Sequence, residues 1–169
     1  LNRGGWRFEE TALLAGVAYA ASGDVSASMG GDVGDIDRDG RLDFVVPDMA
    51  YNNVYFGQGE GIFEDLTVVS GVAEVSGQFW TWGADLADFD NDGDLDLMLS
   101  NGHGHRITEV QQSLLLLQEP GPKGRPRFVD AMVAAGPFFG RKVMARGMCS
   151  ADYDDDGDVD IVVNHVDHQ

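Results

Sequence analysis

Cysteine is almost missing from this chain, basic residues are scarce, and no long apolar run occurs. A single thiol, Cys149, cannot close an intrachain disulfide, so cysteine usage is silent about redox compartment. No base or motif accompanies it, and it reads as a small semi-buried thiol rather than a nucleophile. With 11 Lys and Arg against 29 Asp and Glu, the formal charge is -18. Such a chain repels phosphate backbones and anionic membrane surfaces, which argues against nucleic acid as a partner. No apolar stretch approaches the roughly 20 residues that span a bilayer. The segment ALLAGVAYAASG imitates a signal-peptide core, but Glu9 and Glu10 stand where a basic region belongs, so it reads as mature sequence.

What is present is a globular composition, 43% hydrophobic over 169 residues, and a concentration of acid. Of the 29 acidic residues, 15 lie in three windows, Asp35 to Asp43, Asp88 to Asp96 and Asp152 to Asp160. The windows start 53 and 64 residues apart, and each follows a glycine five residues upstream: Gly30, Gly83 and Gly147. A second marker keeps the same period. Phe8, Phe63 and Phe128 are each followed eight residues later by a glycine, Gly16, Gly71 or Gly136. Two independent markers in one register define an internal repeat.

The apolar runs behind the acidic windows, LDFVV, LDLML and VDIVV, are strand-like and too short for helices. Each repeat has room for about four short strands, as in a propeller blade. ITEVQQSLLLLQ could pass for an amphipathic helix, but the register sets Leu114 to Leu117 where NVYF stands earlier, so a strand is expected. The extra residues of the second repeat fall in QEPGPKGRPR, an exposed loop. The expected fold is therefore all-β, about three repeats of four-stranded antiparallel sheet forming a partial β-propeller over residues 1–169. Residues 1–22 end a preceding repeat, 23–75 and 76–140 form repeats with the first and second acidic loops, and 141–169 start a repeat with the third. Such a chain reads as a piece of a longer repeat protein, since propellers close with four to eight blades.

Every window fits DxDxDGxxD: DIDRDGRLD, DFDNDGDLD and DYDDDGDVD. Carboxylates at loop positions 1, 3 and 5 converge when the chain wraps about a point, and glycine at position 6 permits the wrap. A hard cation then takes oxygen from Asp35, Asp37, Asp39 and Asp43; from Asp88, Asp90, Asp92 and Asp96; and from Asp152, Asp154, Asp156 and Asp160. Position 7, occupied by Arg41, Asp94 and Asp158, offers its backbone carbonyl. The surplus acids Asp94, Asp155 and Asp158 are expected to turn their side chains to water. Calcium, with 6 to 8 oxygen ligands, suits this set better than magnesium, and the lack of Cys and His disfavours zinc. About three Ca2+ ions are expected. An EF-hand would need an acid at position 12, where Val46, Leu99 and Val163 stand, so a calcium sensor is disfavoured and a metal-clipped β-hairpin expected.

Other candidates are weaker. His103 and His105 in NGHGH suggest a transition-metal or catalytic site but read as surface-loop residues, because no carboxylate partner is fixed nearby in sequence, and His165 and His168, close to the C-terminus, support no site. Trp80 and Trp82 alternate as strand residues do and read as core or inter-blade packing rather than a sugar platform.

The stretches SMGGDVGDIDRDGRLDFVV, FGQGEGIFEDLTVVSGV, TWGADLADFDNDGDLDLMLSNGHGH and ARGMCSADYDDDGDVDIVVNH resemble the FG-GAP/VCBS repeats of the cartilage acidic protein and ASPIC/UnbV family. The resemblance implies an integrin-α-like, seven-bladed propeller with calcium in each acidic hairpin, in a secreted or cell-surface protein, extracellular or periplasmic. The GAP half of the repeat name is absent, although FG survives at Phe56 and Gly57, and Cys149 replaces the aspartate of Asp32 and Asp85. The expected function is non-catalytic recognition or adhesion toward a protein or glycan. The alternative is the scaffold of a secreted polysaccharide-active enzyme, which would need an acid, base and electrophile beyond the metal ligands.

Overall fold

In the computed structural model, which describes residues 1–20, 22–104, 106 and 109–166, the chain is almost entirely β. His105 and His168 lie outside the described residues. Strands β1 (Asp32–Gly34), β2 (Asp43–Val46), β3 (Asn53–Gly59) and β4 (Ile62–Asp65) form a four-stranded antiparallel meander. A second follows, of β5 (Thr81–Ala87), β6 (Asp96–Asn101), β7 (Leu114–Pro120) and β8 (Pro126–Asp130). Strands β9 (Ala145–Ala151) and β10 (Asp160–His165) make a two-stranded sheet. The expected all-β, propeller-like architecture is thus observed, with no sheet closing on itself among the described residues.

Leu114 to Leu117 lie in β7, where the register placed them, paired with β6 through Leu116 opposite Leu97. Strand alternation sends odd and even residues to opposite faces. Leu97, Leu99, Leu114 and Leu116 join Ile36, Val45, Val54 and Phe56 in a core between the first two sheets. Met98 and Leu115 turn the other way, onto Phe139, with Met148, Ile161 and Val163 from the third unit packed against them. The middle sheet is therefore covered on both faces, and that is why its third strand opens on an unbroken apolar run, Leu114 to Leu117.

Two single-turn helices, α1 (Ala12–Ala15) and α2 (Val72–Ser76), depart from the all-strand reading. They are the small-residue tails behind Phe8 and Phe63, and each packs beside the outer strand of the next sheet, α1 against β4 and α2 against β8.

The sheets meet through contacts that recur at the same repeat positions. Gly30 lies where a Cβ would come within 3.2 Å of the Trp82 carbonyl oxygen, and Gly83 where it would come within 3.3 Å of that of Arg146. Asp32 Oδ2 accepts from the amide of Leu86 at 2.8 Å, and Asp85, one repeat on, is hydrogen-bonded to the side chain and backbone of Ser150. At the outer edge a Cβ on Gly16 would meet the Phe63 carbonyl oxygen at 2.7 Å, and one on Gly71 that of Phe128 at 2.9 Å. Both glycines also have left-handed φ near 82°, which a side chain rarely adopts. Four of the glycines that reveal the repeat, Gly16, Gly30, Gly71 and Gly83, are thus residues of close approach between units, whereas Gly136 and Gly147 meet no neighbouring unit.

Trp82 packs between units: the Arg146 guanidinium lies 4.4 Å from its ring centroid, and its Nε1 donates to the Gly102 carbonyl at 2.6 Å. Trp80 stacks on His103, centroids 4.0 Å apart. Packing, not an open platform, accounts for both rings. Cys149 corrects the semi-buried expectation: it is exposed. Burial alternates along β9, and Cys149 sits on the face opposite Met148.

Candidate metal centres

The acidic windows are the hairpin turns between β1 and β2, β5 and β6, and β9 and β10, all at one end of their sheets. Local chemistry closes each turn. The position-1 carboxylate accepts two backbone amides: Asp35 from Asp39 and Gly40 at 3.0 Å each. Asp88 does so from Asp92 at 3.0 Å and Gly93 at 2.8 Å, and Asp152 from Asp156 at 3.1 Å and Gly157 at 3.0 Å. The position-5 carboxylates bond the position-7 amides, Asp39 to Arg41, Asp92 to Asp94 and Asp156 to Asp158, at 2.9, 2.8 and 2.9 Å. These are side-chain-supported turns of the kind aspartate favours.

Backbone twist enters at two positions. Gly40, Gly93 and Gly157 at position 6 have φ of 84°, 91° and 97°, in keeping with the need for glycine there. Position 4 is left-handed too: Arg38, Asn91 and Asp155 have φ of 58°, 60° and 61°. The spacing of acids carries no trace of that second twist, although Asn at one of the three positions is a faint signal.

In each loop three carboxylate oxygens come within 4.8 Å of one another, and the three differ. Asp35, Asp37 and Asp39 converge in the first; Asp88, Asp90 and Asp96 in the second; Asp152, Asp154 and Asp160 in the third. Asp43, Asp92 and Asp156 stand outside these groups. Position 9 has a second task. Its carboxylate accepts the position-2 amide in every loop, Asp43 from Ile36 at 2.8 Å, Asp96 from Phe89 at 2.9 Å and Asp160 from Tyr153 at 3.1 Å. In the two four-stranded sheets it also takes an amide from the third strand, Asp43 from Gly57 and Asp96 from Gln118, both at 2.8 Å. Phe56-Gly57 and Leu117-Gln118 are thus the same structural position, where the hairpin is tied to the third strand.

Asp43 and Asp96 are buried, and burial opposes their charge. Burial pushes the Asp96 carboxyl up to about 6; the amides of Gln118 and Phe89 oppose the rise, and Asp90 and Asp92 add to it. Asp43 is raised by burial as well, against the amides of Gly57 and Ile36. Converged carboxylates of this kind, all of them oxygen donors, fit a hard cation of calcium type.

The surplus acids do not all face water. Asp94 pairs with Arg38, from position 4 of the preceding loop. Asp158 stays exposed, as expected, while accepting from Asn91 Nδ2, again from position 4 of the preceding loop, at 2.7 Å. In both bridges the position-4 residue has the left-handed backbone. Asp155 is exposed, as read from sequence. The Arg41 side chain pairs with Asp39 and donates from Nε to the Gly57 carbonyl at 2.6 Å.

Comparison with known proteins agrees with this architecture. The sequence model of the FG-GAP-like repeat family matches residues 35–99, from the first acidic loop through the second. Cartilage acidic protein 1 of Mus musculus is 29% identical over 168 residues, covering 98% of this chain and 23% of the relative. The chain thus spans about a quarter of that relative's length, and the resemblance read from the motifs is borne out.

Proposed function

We propose that the chain is a calcium-stapled segment of an extracellular, seven-bladed propeller whose role is non-catalytic recognition of a protein or glycan. The observation that carries the reading is the convergence of three carboxylate oxygens within 4.8 Å in each of three equivalent turns. Asp35, Asp37 and Asp39, then Asp88, Asp90 and Asp96, then Asp152, Asp154 and Asp160 would hold the ions, with the carbonyls of Arg41, Asp94 and Asp158 and the remaining loop acids completing each set. Bound calcium supplies positive charge to carboxylates that otherwise repel one another. The chain's own residues do the rest: the position-1 aspartates shape the turn, and the position-9 aspartates fasten it to the sheet. Affinity in the range of extracellular modules would suffice at millimolar calcium, so the ions are structural.

Support for an extracellular site is the repeat match together with the relative; no described helix is long and apolar enough to cross a membrane. His103 departs from the surface reading: it is partly buried, stacked on Trp80 and 3.5 Å from Glu109, a carboxylate partner that the sequence did not announce, and it is the one feature the enzymatic alternative could draw on. Titration calorimetry of the chain should register about three calcium ions, and chelator should lower the melting temperature. Asp88→Ala with Asp90→Ala should remove one ion. Absence of binding heat together with an unchanged melting temperature would overturn the reading.

A further inference from the structure

We propose that the side-chain bridges from position 4 of one acidic loop to position 7 of the next couple neighbouring ion sites, so that filling one loop raises the affinity of the other. This deepens the calcium reading above and rests on it.

The bridge occurs at both junctions between loops. Arg38 reaches Asp94, and Asn91 reaches Asp158. Chemistry differs, an ion pair in one and an amide donor in the other, while the positions are the same. Chance surface contacts would not repeat in register.

Both ends of the bridge belong to the ion-holding turn. Position 4 lies between the acids at positions 3 and 5, and its left-handed φ, 58° at Arg38 and 60° at Asn91, is part of the wound turn. Position 7 follows the twisted glycine, and its amide is held by the position-5 carboxylate, 2.8 Å for Asp94 and 2.9 Å for Asp158. An unwound loop cannot present either end. A wound loop offers its neighbour a partner already in place, so the entropy of ordering the second loop is partly met by the first. Electrostatics acts in the same sense: an ion in one loop cancels part of the acidic field felt by the next. Arg38 and Asp94 are not equivalent to the ion's ligands here. They act as positioning residues through their side chains, whatever the Asp94 carbonyl does.

The test follows each loop separately, in the whole chain, through the nuclear magnetic resonance signals of the Gly40 and Gly93 amides during calcium titration. Asp88→Asn with Asp90→Asn disables the second loop. The first loop should then bind calcium about two- to five-fold more weakly, the scale of a partly exposed ion pair. In an Arg38→Gly chain, which keeps the left-handed backbone accessible, disabling the second loop should weaken the first clearly less than it does in the parent chain, because only the through-space electrostatic part remains. Arg38→Glu with Asp94→Lys should restore the dependence. A merely structural role for Arg38 would weaken the first loop equally whether or not the second is intact. The proposal is overturned if the first loop's affinity ignores the second in the parent chain, or if the dependence survives undiminished in Arg38→Gly. If neither glycine responds to calcium, the calcium reading itself falls, and this inference with it.

Discussion

Asp96 shows how one carboxylate can be both joint and switch. It is 1% exposed, accepts amides from two strands, and has its carboxyl pushed up to about 6, chiefly by burial. An unfolded aspartate titrates near 3.9. Because the folded, ion-free state holds its proton more tightly than the unfolded state does, this contribution is complete below about pH 4 and is lost as pH rises toward about 6. In chelator, urea unfolding should therefore show stability falling between pH 4.5 and 7, by about 2 kcal/mol from Asp96 alone. Asp96→Asn should flatten the slope, and a rise in stability over that window would contradict the assignment. Calcium should bind more tightly over the same window, since protons leave the sites it occupies. The three acidic turns were legible from sequence because the spacing of their aspartates is a local property of the chain, whereas which three carboxylates converge in each was not. The bridge at positions 4 and 7 was not, because Arg38 and Asp94 are 56 residues apart and meet only after two sheets have packed.

At the scale of elements, the strand β7 was legible only through the repeat. ITEVQQSLLLLQ alternates in neither a helical nor a simple strand pattern at its apolar end, because Leu114 and Leu116 face one sheet and Leu115 the other. A strand buried on both faces loses the period of two that would announce it. Leu116→Ala should lower unfolding free energy by about 3 kcal/mol in urea denaturation, since Leu116 is fully buried and its neighbours are locked in paired strands. Val133→Ala, at a residue 99% exposed, should change it by less than about 0.5 kcal/mol. Equal effects would mean that the two cores on either side of the middle sheet are not formed as described. The helices α1 and α2 escaped sequence reading because four or five residues carry too little periodicity. Their glycine boundaries, Gly16 and Gly71, were visible, and their purpose was not: what crowds them is the backbone of the next sheet.

Across the whole molecule, the junctions are as repetitive as the blades. Asp32 holds the Leu86 amide, and Asp85 is bonded to Ser150 one repeat later. Asp32→Ala should let the Leu86 amide exchange with solvent about ten-fold faster, the effect of losing roughly one hydrogen bond. The amide of Val45, inside the first sheet, should keep its rate. Exchange at Leu86 unaffected by the substitution would remove Asp32 from the junction. All these contacts run one way: aspartate to the following amide, position 4 to the following position 7, glycine to the following carbonyl. An interface with this polarity is heterologous, and repeating it generates either a closed ring or an open filament, according to the rotation per step. The face that carries Cys149 in place of that aspartate lacks the carboxylate with which the two earlier junctions are made, so the rule of succession changes at that step.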